Sequence, residues 1–415
     1  MPMPVDAAPS RAAASAPTKT REEVLEAVKS GAFPLKDNER DSLRNRSRPL
    51  CGSPVRSLYT LLILPLALTR IVLFIVVFTS TGCTAALAAC LPARSCGRRC
   101  LLAIAMRGIR AGLFCLGYHY IKQTGQPSKD AKIVCSNHVS FVETFYLTSI
   151  LTPCGMAEIE TASIPMVASV LKALEFVLVD KSSSESRANA AKKMTSKLSE
   201  KNAPQFLVFA EGQTSDGRQV LSFKDGAFRL GHTVQPVAVR YRRSTFDPTN
   251  APENMVWHFI RATFDLHHGM EVEFLDVTSK EVDETPAEFA GRVRTSIAEC
   301  LQVPLSNHSH DDQRLQRRCR KLYKRPPDDL AWAMPETRTC KLLLGLDLDG
   351  CTDAARAYVS RVEACDLEVK DVEAYRIALD VSEADAAALW ASRSEGAALA
   401  YREFLVASAL GRCAS

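Results

Sequence analysis

The sequence predicts an α/β protein in which a largely parallel sheet is flanked by helices. Between about residues 130 and 302, short apolar runs typical of strands alternate with helix-like segments, which is the pattern of a sheet covered on its faces. Two long apolar runs precede this region, and an Ala-rich region with a helical pattern follows it. The predicted strands cover residues 131–136, 175–179, 205–210, 234–241 and 270–277.

The chain of 415 residues is long enough for two or three domains. We predict a disordered leader with one short helix around Glu22–Ser30, a membrane hairpin with an interfacial helix, an α/β domain, a linker and a small helical region. No signal peptide is expected, because the first apolar run begins only near residue 58. The five predicted segments are, in order, residues 1–50, 51–121, 122–304, 305–335 and 336–415.

The two apolar runs, 57–69 and 71–91, are separated only by Arg70. The second run is uncharged and about as long as the roughly 20 residues that span a bilayer. Arginines flank the pair on both sides, which predicts a hairpin that enters the bilayer and returns to the cytosolic face. Residues 101–121 are apolar but contain two arginines, so they are expected to lie at the interface. The alternative is a buried helix pair in a soluble protein.

The charge and the cysteine pattern indicate which classes of ligand the protein is expected to bind. The formal net charge of +5 suits anionic lipid or phosphate-bearing substrates and does not require nucleic acid, so no nucleic-acid partner is expected. The 14 cysteines include no C-x-x-C pair, and no histidine with ligand spacing accompanies them, so we expect no metal site.

Two helices can be placed within the α/β region. One is predicted over Ser184–Glu200, and another begins at Thr285–Pro286. Glu288 follows Thr285 by three residues, which is the spacing of a capping box, and proline is favoured at the first helical position.

His138 is the leading candidate for chemistry. It follows a strand-like run and precedes a helix-like run, with Glu143 five positions later in "NHVSFVE". A carboxylate that holds one imidazole nitrogen fixes the tautomer and stabilises the cation, so the other nitrogen can accept a proton from a hydroxyl. Taken alone, this pair favours a structural histidine over a catalytic base.

A second candidate region lies in "VFAEGQTSDGRQVLSFKDGAF" at 208–228. An acid, a glycine, hydroxyls and a cation in a loop after a strand suit an anionic ligand. Lys181, just past another predicted strand, has the charge to pair with a phosphate. The alternatives are an ordinary surface turn and a solvated helix start. The candidate ligand-binding residues are Lys181, Glu211, Gly212, Thr214, Ser215 and Lys224.

The motifs in their order, N-H-x-x-x-x-acid, strand–x–cation, F-x-E-G-x-x-S and V-x-P-V-x-x-R-Y, resemble the glycerophospholipid acyltransferase family. The chain looks most like the lysophosphatidylcholine and lysophosphatidylethanolamine acyltransferases. "LSFKDGAF" at 221–228 and "TVQPVAVRY" at 233–241 match that family's later blocks closely. The resemblance covers about residues 55–305.

The resemblance implies a glycerolipid acyltransferase-type fold and an enzyme of lipid metabolism at the endoplasmic reticulum membrane, with its catalytic domain facing the cytosol. His138 would deprotonate the lysophospholipid hydroxyl, Glu143 would orient His138, and acyl-CoA would be the donor. No further cofactor or metal would be needed. Two alternatives stay open: an acyltransferase acting on 1-acyl-glycerol-3-phosphate, and a catalytically silent membrane scaffold that binds lipid.

Three positions depart from the family pattern. Glu143 replaces an aspartate, so the contact to His138 is expected to need a displaced backbone. Lys181 replaces an arginine and keeps only a point charge. Ala210 replaces a proline before Glu211.

The C-terminal region resembles a degenerate EF-hand. With Ser392 at loop position 1, Glu403 falls at position 12 and is the only carboxylate at a ligand position. We therefore predict a metal-free structural relic.

Overall fold

The computed structural model describes residues 19–30, 32–33, 50, 53–93, 95–180, 183–200, 203–242, 246–249, 255–322, 336–364, 371–392, 399 and 401–412. These residues form two compact units. One lies within residues 42–306, and the other is built from residues within 1–41 and 307–415.

The first unit contains a seven-stranded mixed sheet with the order β1-β7-β6-β2-β5-β3-β4. Neighbours among β6, β2, β5, β3 and β4 run parallel, whereas β7 is antiparallel to β6 and β1 is parallel to β7. The strands are β1 (Ile121–Thr124), β2 (Ile133–Ser136), β3 (Cys154–Glu158), β4 (Val177–Val179), β5 (Phe206–Val208), β6 (Val234–Arg242) and β7 (Gly269–Phe274).

Helices cover both faces of this sheet, as predicted. Successive strand residues point to opposite faces, so Ile133 packs into one apolar core and Val134 into the other. The first core includes residues of α6 and α8, and the second includes residues of α3 and α4. The helices of this unit are α2 (Pro54–Ala89), α3 (Cys96–Cys115), α4 (Phe141–Leu151), α5 (Pro165–Ala173), α6 (Ser184–Ser199), α7 (Met255–Ala262) and α8 (Pro286–Leu301), with short 3₁₀ helices at Ile159–Ser163 and Asp225–Ala227.

All five predicted strands are present with shifted ends, and the helix predicted from Ser184 is α6. The predicted capping box is also present, because Thr285 and Glu288 exchange side-chain and backbone hydrogen bonds at the start of α8. Strands β1 and β3 were not predicted from the sequence. Strand β3 reads "CGMAE" and contains no β-branched or aromatic residue, so it carries no local strand preference.

The two apolar runs form one helix instead of two. Helix α2 continues through Pro65 and Arg70, and the chain turns only after Ala89, where α3 begins at Cys96. Arg70 does not interrupt the helix because its guanidinium is buried and donates to the protein itself. The acceptors are the backbone carbonyls of Thr263 (3.3 Å), Asp265 (2.6 Å) and Leu266 (2.8 Å).

Helix α2 is the one described helix that is long and apolar enough to cross a membrane. Only 11% of its most apolar 18-residue window is buried within the protein, which is unlike the core helix of a soluble protein. The predicted interfacial helix over 101–121 corresponds to α3, which ends at Cys115 before β1 begins.

The second unit is helical. The helix predicted near Glu22 is present as α1 (Arg21–Lys29), and its buried Val24 and Val28 belong to this unit's core. Thirteen residues of the region predicted as a linker, 305–335, instead form α9 (His310–Leu322). Its Leu315 and Cys319 are buried one turn apart, an apolar stripe that the surrounding charges obscure in the sequence. The other helices are α10 (Thr337–Leu344), α11 (Leu348–Ala364), α12 (Val372–Leu379), α13 (Glu383–Ala391) and α14 (Tyr401–Leu410).

The predicted EF-hand relic falls between α13 and α14. Most of its loop, residues 393–398 and 400, lies outside the described residues. Glu403, the predicted position 12, lies on α14 and is only 2% exposed. The degenerate hand stays a prediction.

Candidate active site

Two neighbouring strands bring the main sequence motifs together. Strands β2 and β5 are parallel and adjacent, with Cys135 paired to Val208. The residues just past the two strands therefore meet at the carboxyl edge of the sheet, where sites of α/β proteins are found. The backbone N–H of His138 donates to Oε1 of Glu211 at 3.2 Å, which joins the first motif to the third.

The predicted pair of His138 and Glu143 is in direct contact. Nδ1 of His138 lies 2.8 Å from Oε1 of Glu143, and the backbone N–H groups of Val139 and Ser140 donate to the same oxygen at 2.7 Å each. A carboxylate oxygen can only accept, so the contact assigns the proton to Nδ1 and leaves Nε2 as the acceptor nitrogen.

The side chains of His138 and Glu143 differ in their exposure to solvent. The side chain of Glu143 is completely buried, whereas that of His138 remains 20% exposed. The imidazole stacks on the ring of Phe209, with centroids 4.2 Å apart, and the N–H of Ser215 donates to the His138 carbonyl at 2.8 Å. The ring is therefore held on one side by protein and is reachable on another.

Glu143 reaches His138 at an ordinary hydrogen-bond distance despite replacing an aspartate. Glu143 stands at the third position of α4, and its carboxylate accepts the N–H of Ser140, the residue that precedes the helix. A carboxylate at a helix N-terminus is also favoured by the helix dipole. The contact is therefore made with glutamate at this position, and the displaced backbone stays a prediction.

Glu211 lies in the loop that follows β5, and its side chain is buried. The pKa of Glu211 is raised to about 8, chiefly by burial and also by the nearby negative charge of Glu143, while the N–H of His138 opposes the shift. Near neutral pH this carboxyl group is therefore mostly protonated, and it adds little negative charge to the site.

The loop 212–217 packs against the histidine segment. Gly212 and Gly217 have φ values of +70° and +68°, a region that L side chains rarely adopt. An added Cβ would lie 2.8 Å from Nζ of Lys224 at Gly212 and 2.9 Å from Cγ2 of Val139 at Gly217, so both glycines also permit close packing.

The structure thus brings together most of the predicted site residues. Ser215 is buried, and its hydroxyl accepts the N–H of Gly217, so it orders the loop and holds the His138 carbonyl instead of facing solvent. Lys224 is exposed beside Gly212, and Thr214 is partly buried in the same loop. Lys181 lies outside the described residues.

Two contacts of this site were not predicted. Phe209 supports the histidine ring, and Tyr241 donates its hydroxyl to Oε2 of Glu143. Both residues stand inside recognised motifs, Phe209 before Glu211 and Tyr241 at the end of "QPVAVRY". Their side-chain roles required knowledge of which strands are neighbours.

Replacing Glu211 by glutamine should change how stability depends on pH. The folded protein binds the Glu211 proton up to about pH 8, whereas the ordinary value for the group is 4.5. Between these values the unfolded chain has lost a proton that the folded chain retains, so this group makes wild-type stability fall as the pH rises. Glutamine has no proton to lose, so the melting temperature of Glu211→Gln should rise relative to wild type from about pH 5 to about pH 8.

Thermal unfolding at several pH values measures this difference, and Glu160→Gln at an exposed position is the matched control. A difference between Glu211→Gln and wild type that stays constant with pH would contradict the buried protonated carboxyl.

Comparison with known proteins gives consistent matches. Residues 117–240 match the family model described as Acyltransferase. Over 224 residues the chain is 32% identical to "Lysophospholipid acyltransferase LPEAT2" of Arabidopsis thaliana, covering 53% of this chain and 42% of that protein. It is 31% identical to lysophosphatidylcholine acyltransferase 2 of Rattus norvegicus over 220 residues, covering 50% and 39%.

The chain therefore spans about two fifths of the length of these relatives. A solved 1-acyl-sn-glycerophosphate acyltransferase from Thermotoga maritima aligns with a TM-score of 0.45 and 20% identity, covering 59% of this chain and 96% of that one. The family model and the curated relatives confirm the resemblance predicted from the motifs: residues 117–240 match the Acyltransferase family model, and about half of the chain is similar to lysophospholipid acyltransferases.

Proposed function

We propose that this chain is a membrane-bound acyltransferase that transfers a fatty acyl group from acyl-CoA to the free hydroxyl of a lysophospholipid. The observation that carries the proposal is the pair formed by His138 and Glu143, in which a fully buried carboxylate holds a partly exposed imidazole at 2.8 Å. The names of the relatives, which are lysophospholipid and lysophosphatidylcholine acyltransferases, support this acceptor class.

In the proposed reaction His138 is the general base. Its Nδ1 donates to Glu143, so Nε2 accepts the proton of the acceptor hydroxyl while that oxygen attacks the thioester carbonyl carbon. The adjacent Glu143 carboxylate stabilises the imidazolium. The tetrahedral intermediate then releases the CoA sulfur, which takes the proton back from His138. No acyl-enzyme forms, and no metal or other cofactor takes part in this proposal.

The loop after β5 is proposed to bind the negative charge of the substrates. Lys224 is exposed and its Nζ lies beside Gly212, and Thr214 of the same loop is proposed to contribute with it. Lys181 is proposed to add a further positive charge. Glu211 and Ser215 are proposed to hold the His138 segment in place and not to bind substrate, because both form hydrogen bonds with the backbone of His138. A mostly protonated Glu211 does not repel a phosphate or an oxyanion.

A lysophospholipid acceptor is distinguished from 1-acyl-glycerol-3-phosphate by a panel of acceptors with one acyl-CoA held constant. The catalytically silent scaffold is the second alternative. The intact contact between His138 and Glu143 argues against it, since the substitution of glutamate for aspartate leaves the base oriented.

His138→Ala and Glu143→Gln should each reduce acyl transfer strongly. General acid–base groups contribute on the order of 10²–10⁴ in rate, so losses in that range are expected in the chemical step. The measurement is transfer of labelled acyl groups from acyl-CoA to the acceptor panel, with acyl-CoA binding followed separately. Binding should persist in both variants, because the base acts after binding.

His232→Ala is the matched control and should retain wild-type activity. His232 lies in the loop before the amino end of β6, whereas His138 and Glu143 lie at the carboxyl edge of the sheet. A His138→Ala variant as active as wild type would refute the mechanism. A wild-type protein that transfers to none of the acceptors would support the scaffold.

We further propose that the chain binds the bilayer through α2 and its surroundings, at the endoplasmic reticulum with the site facing the cytosol. Helix α7 adjoins α2, because the rings of Phe259 and Phe74 lie 5.2 Å apart. On α7, Val256 and Trp257 are 65% and 47% exposed, so the apolar surface continues from α2 to α7.

Trp257 should therefore lie at the lipid interface. The chain has three tryptophans, so replacing Trp332 and Trp390 by phenylalanine leaves Trp257 as the only one. In vesicles that contain phospholipids with brominated acyl chains, its fluorescence should be quenched relative to unbrominated vesicles of the same composition. Quenching should be stronger for bromines near the headgroup than for bromines near the chain end. An unquenched Trp257 in protein that sediments with the vesicles would show that α7 lies outside the bilayer.

A further inference from the structure

We propose that Tyr241 is a positioning residue for acyl transfer, because its hydroxyl fixes the carboxylate of Glu143 in the orientation that holds His138. This inference rests on the function proposed above and adds a residue to it. Tyr241 touches neither substrate nor reacting atoms in this proposal, and it acts only through Glu143.

The two carboxylate oxygens of Glu143 accept hydrogen bonds from different parts of the chain. Oε1 accepts from His138 Nδ1 and from the N–H groups of Val139 and Ser140, all of which belong to the segment just before α4. Oε2 accepts from the hydroxyl of Tyr241. The oxygen of the same hydroxyl also accepts the backbone N–H of Glu143 at 3.1 Å. Tyr241 therefore holds Glu143 at both its carboxylate and its backbone.

Tyr241 comes from a part of the fold that is already tied to the histidine segment. It lies on β6, which is parallel to β2. Two residues earlier, the N–H and the carbonyl of Val239 bond to the side-chain amide of Asn137 at 2.8 and 3.0 Å. The Tyr241 ring packs edge-on against Tyr118, with centroids 6.4 Å apart. Strand β6 thus supports Asn137 and Glu143, the residues on either side of the reactive segment.

Glutamate needs this support more than the aspartate that it replaces. Its additional methylene adds one rotatable bond, so the carboxylate has more orientations to lose. A donor on Oε2 removes that freedom and leaves Oε1 directed at Nδ1. Burial raises the pKa of the Tyr241 phenol well above its ordinary value, and the charge of Glu143 raises it further, so the hydroxyl stays protonated and can donate.

Tyr241→Phe tests the proposal by removing one oxygen. We expect kcat to fall roughly tenfold, about 1.4 kcal/mol, while KM for acyl-CoA and for the lysophospholipid stays within about twofold. Tyr146→Phe is the matched control. The hydroxyl of Tyr146 on α4 donates to the neutral Gln123 amide at 2.9 Å, so its removal should leave kcat unchanged. Thermal unfolding checks that both variants are folded.

A second comparison separates positioning from general structural support. In a Glu143→Gln background the carboxylate is already absent, so adding Tyr241→Phe should lower kcat by less than about twofold. If Tyr241 only supported the fold, it would lower kcat by the same factor in both backgrounds, and the proposal would be overturned. Glu143→Asp gives another variant with Tyr241 in place. Its shorter carboxylate should lose one of the two contacts, so Tyr241→Phe should again add little.

A spectroscopic measurement keeps this inference distinct from the proposed function. In protein labelled with ¹⁵N-histidine, the Nδ1 proton of His138, assigned by its loss in His138→Ala, should resonate far downfield because it is bound to a carboxylate. Tyr241→Phe should shift or broaden it, and Tyr146→Phe should not. If wild type transfers acyl groups but Tyr241→Phe changes neither rate nor resonance, the inference fails and the function stands. If wild type transfers none, the function fails, and an unchanged resonance in Tyr241→Phe would then overturn the positioning role as well.

Discussion

The carboxylate of Glu143 has no exposure to solvent, and the arrangement of the candidate site follows from the donors that surround it. A charge buried without partners would cost several kcal/mol, so the N–H groups of Val139 and Ser140, the imidazole of His138 and the hydroxyl of Tyr241 must all be in place. These donors come from the segment just before α4 and from β6. The hydrogen bonds that stabilise the buried charge of Glu143 therefore also fix the orientation of the His138 ring.

The parallel sheet provides the geometry for this arrangement. Because β2 lies between β5 and β6, the carboxyl ends of the three strands place His138, Glu211 and Tyr241 around one point. An aromatic path also leads from this point toward α2. The Phe141 ring, at the start of α4, lies 4.4 Å from that of Phe259, which lies 5.2 Å from Phe74. The helix that orients the candidate base is thus packed into the region proposed to meet the lipid.

The features predicted correctly from the sequence are those that depend on residues close together in the chain. The five strand-like runs, the capping box at Thr285 and the pairing of His138 with Glu143 all depend on residues within a few positions of one another. Long-range contacts explain the differences. Arg70 was expected to separate two helices, but its carbonyl acceptors stand about 195 residues away and keep it buried within α2. Tyr241 is 98 residues from Glu143, and no local pattern connects them. Helix α9 was missed because its charges hide two buried positions, Leu315 and Cys319.

The central claim is that His138 and Glu143 act as one unit, and a double-mutant cycle on acyl transfer tests it most directly. Rates are measured for wild type, His138→Ala, Glu143→Gln and the double variant under identical conditions. If the carboxylate acts only through the imidazole, the double variant should be no slower than His138→Ala alone, within about twofold. If the two losses multiply in the double variant, Glu143 contributes independently of His138, and the two residues do not form a catalytic unit.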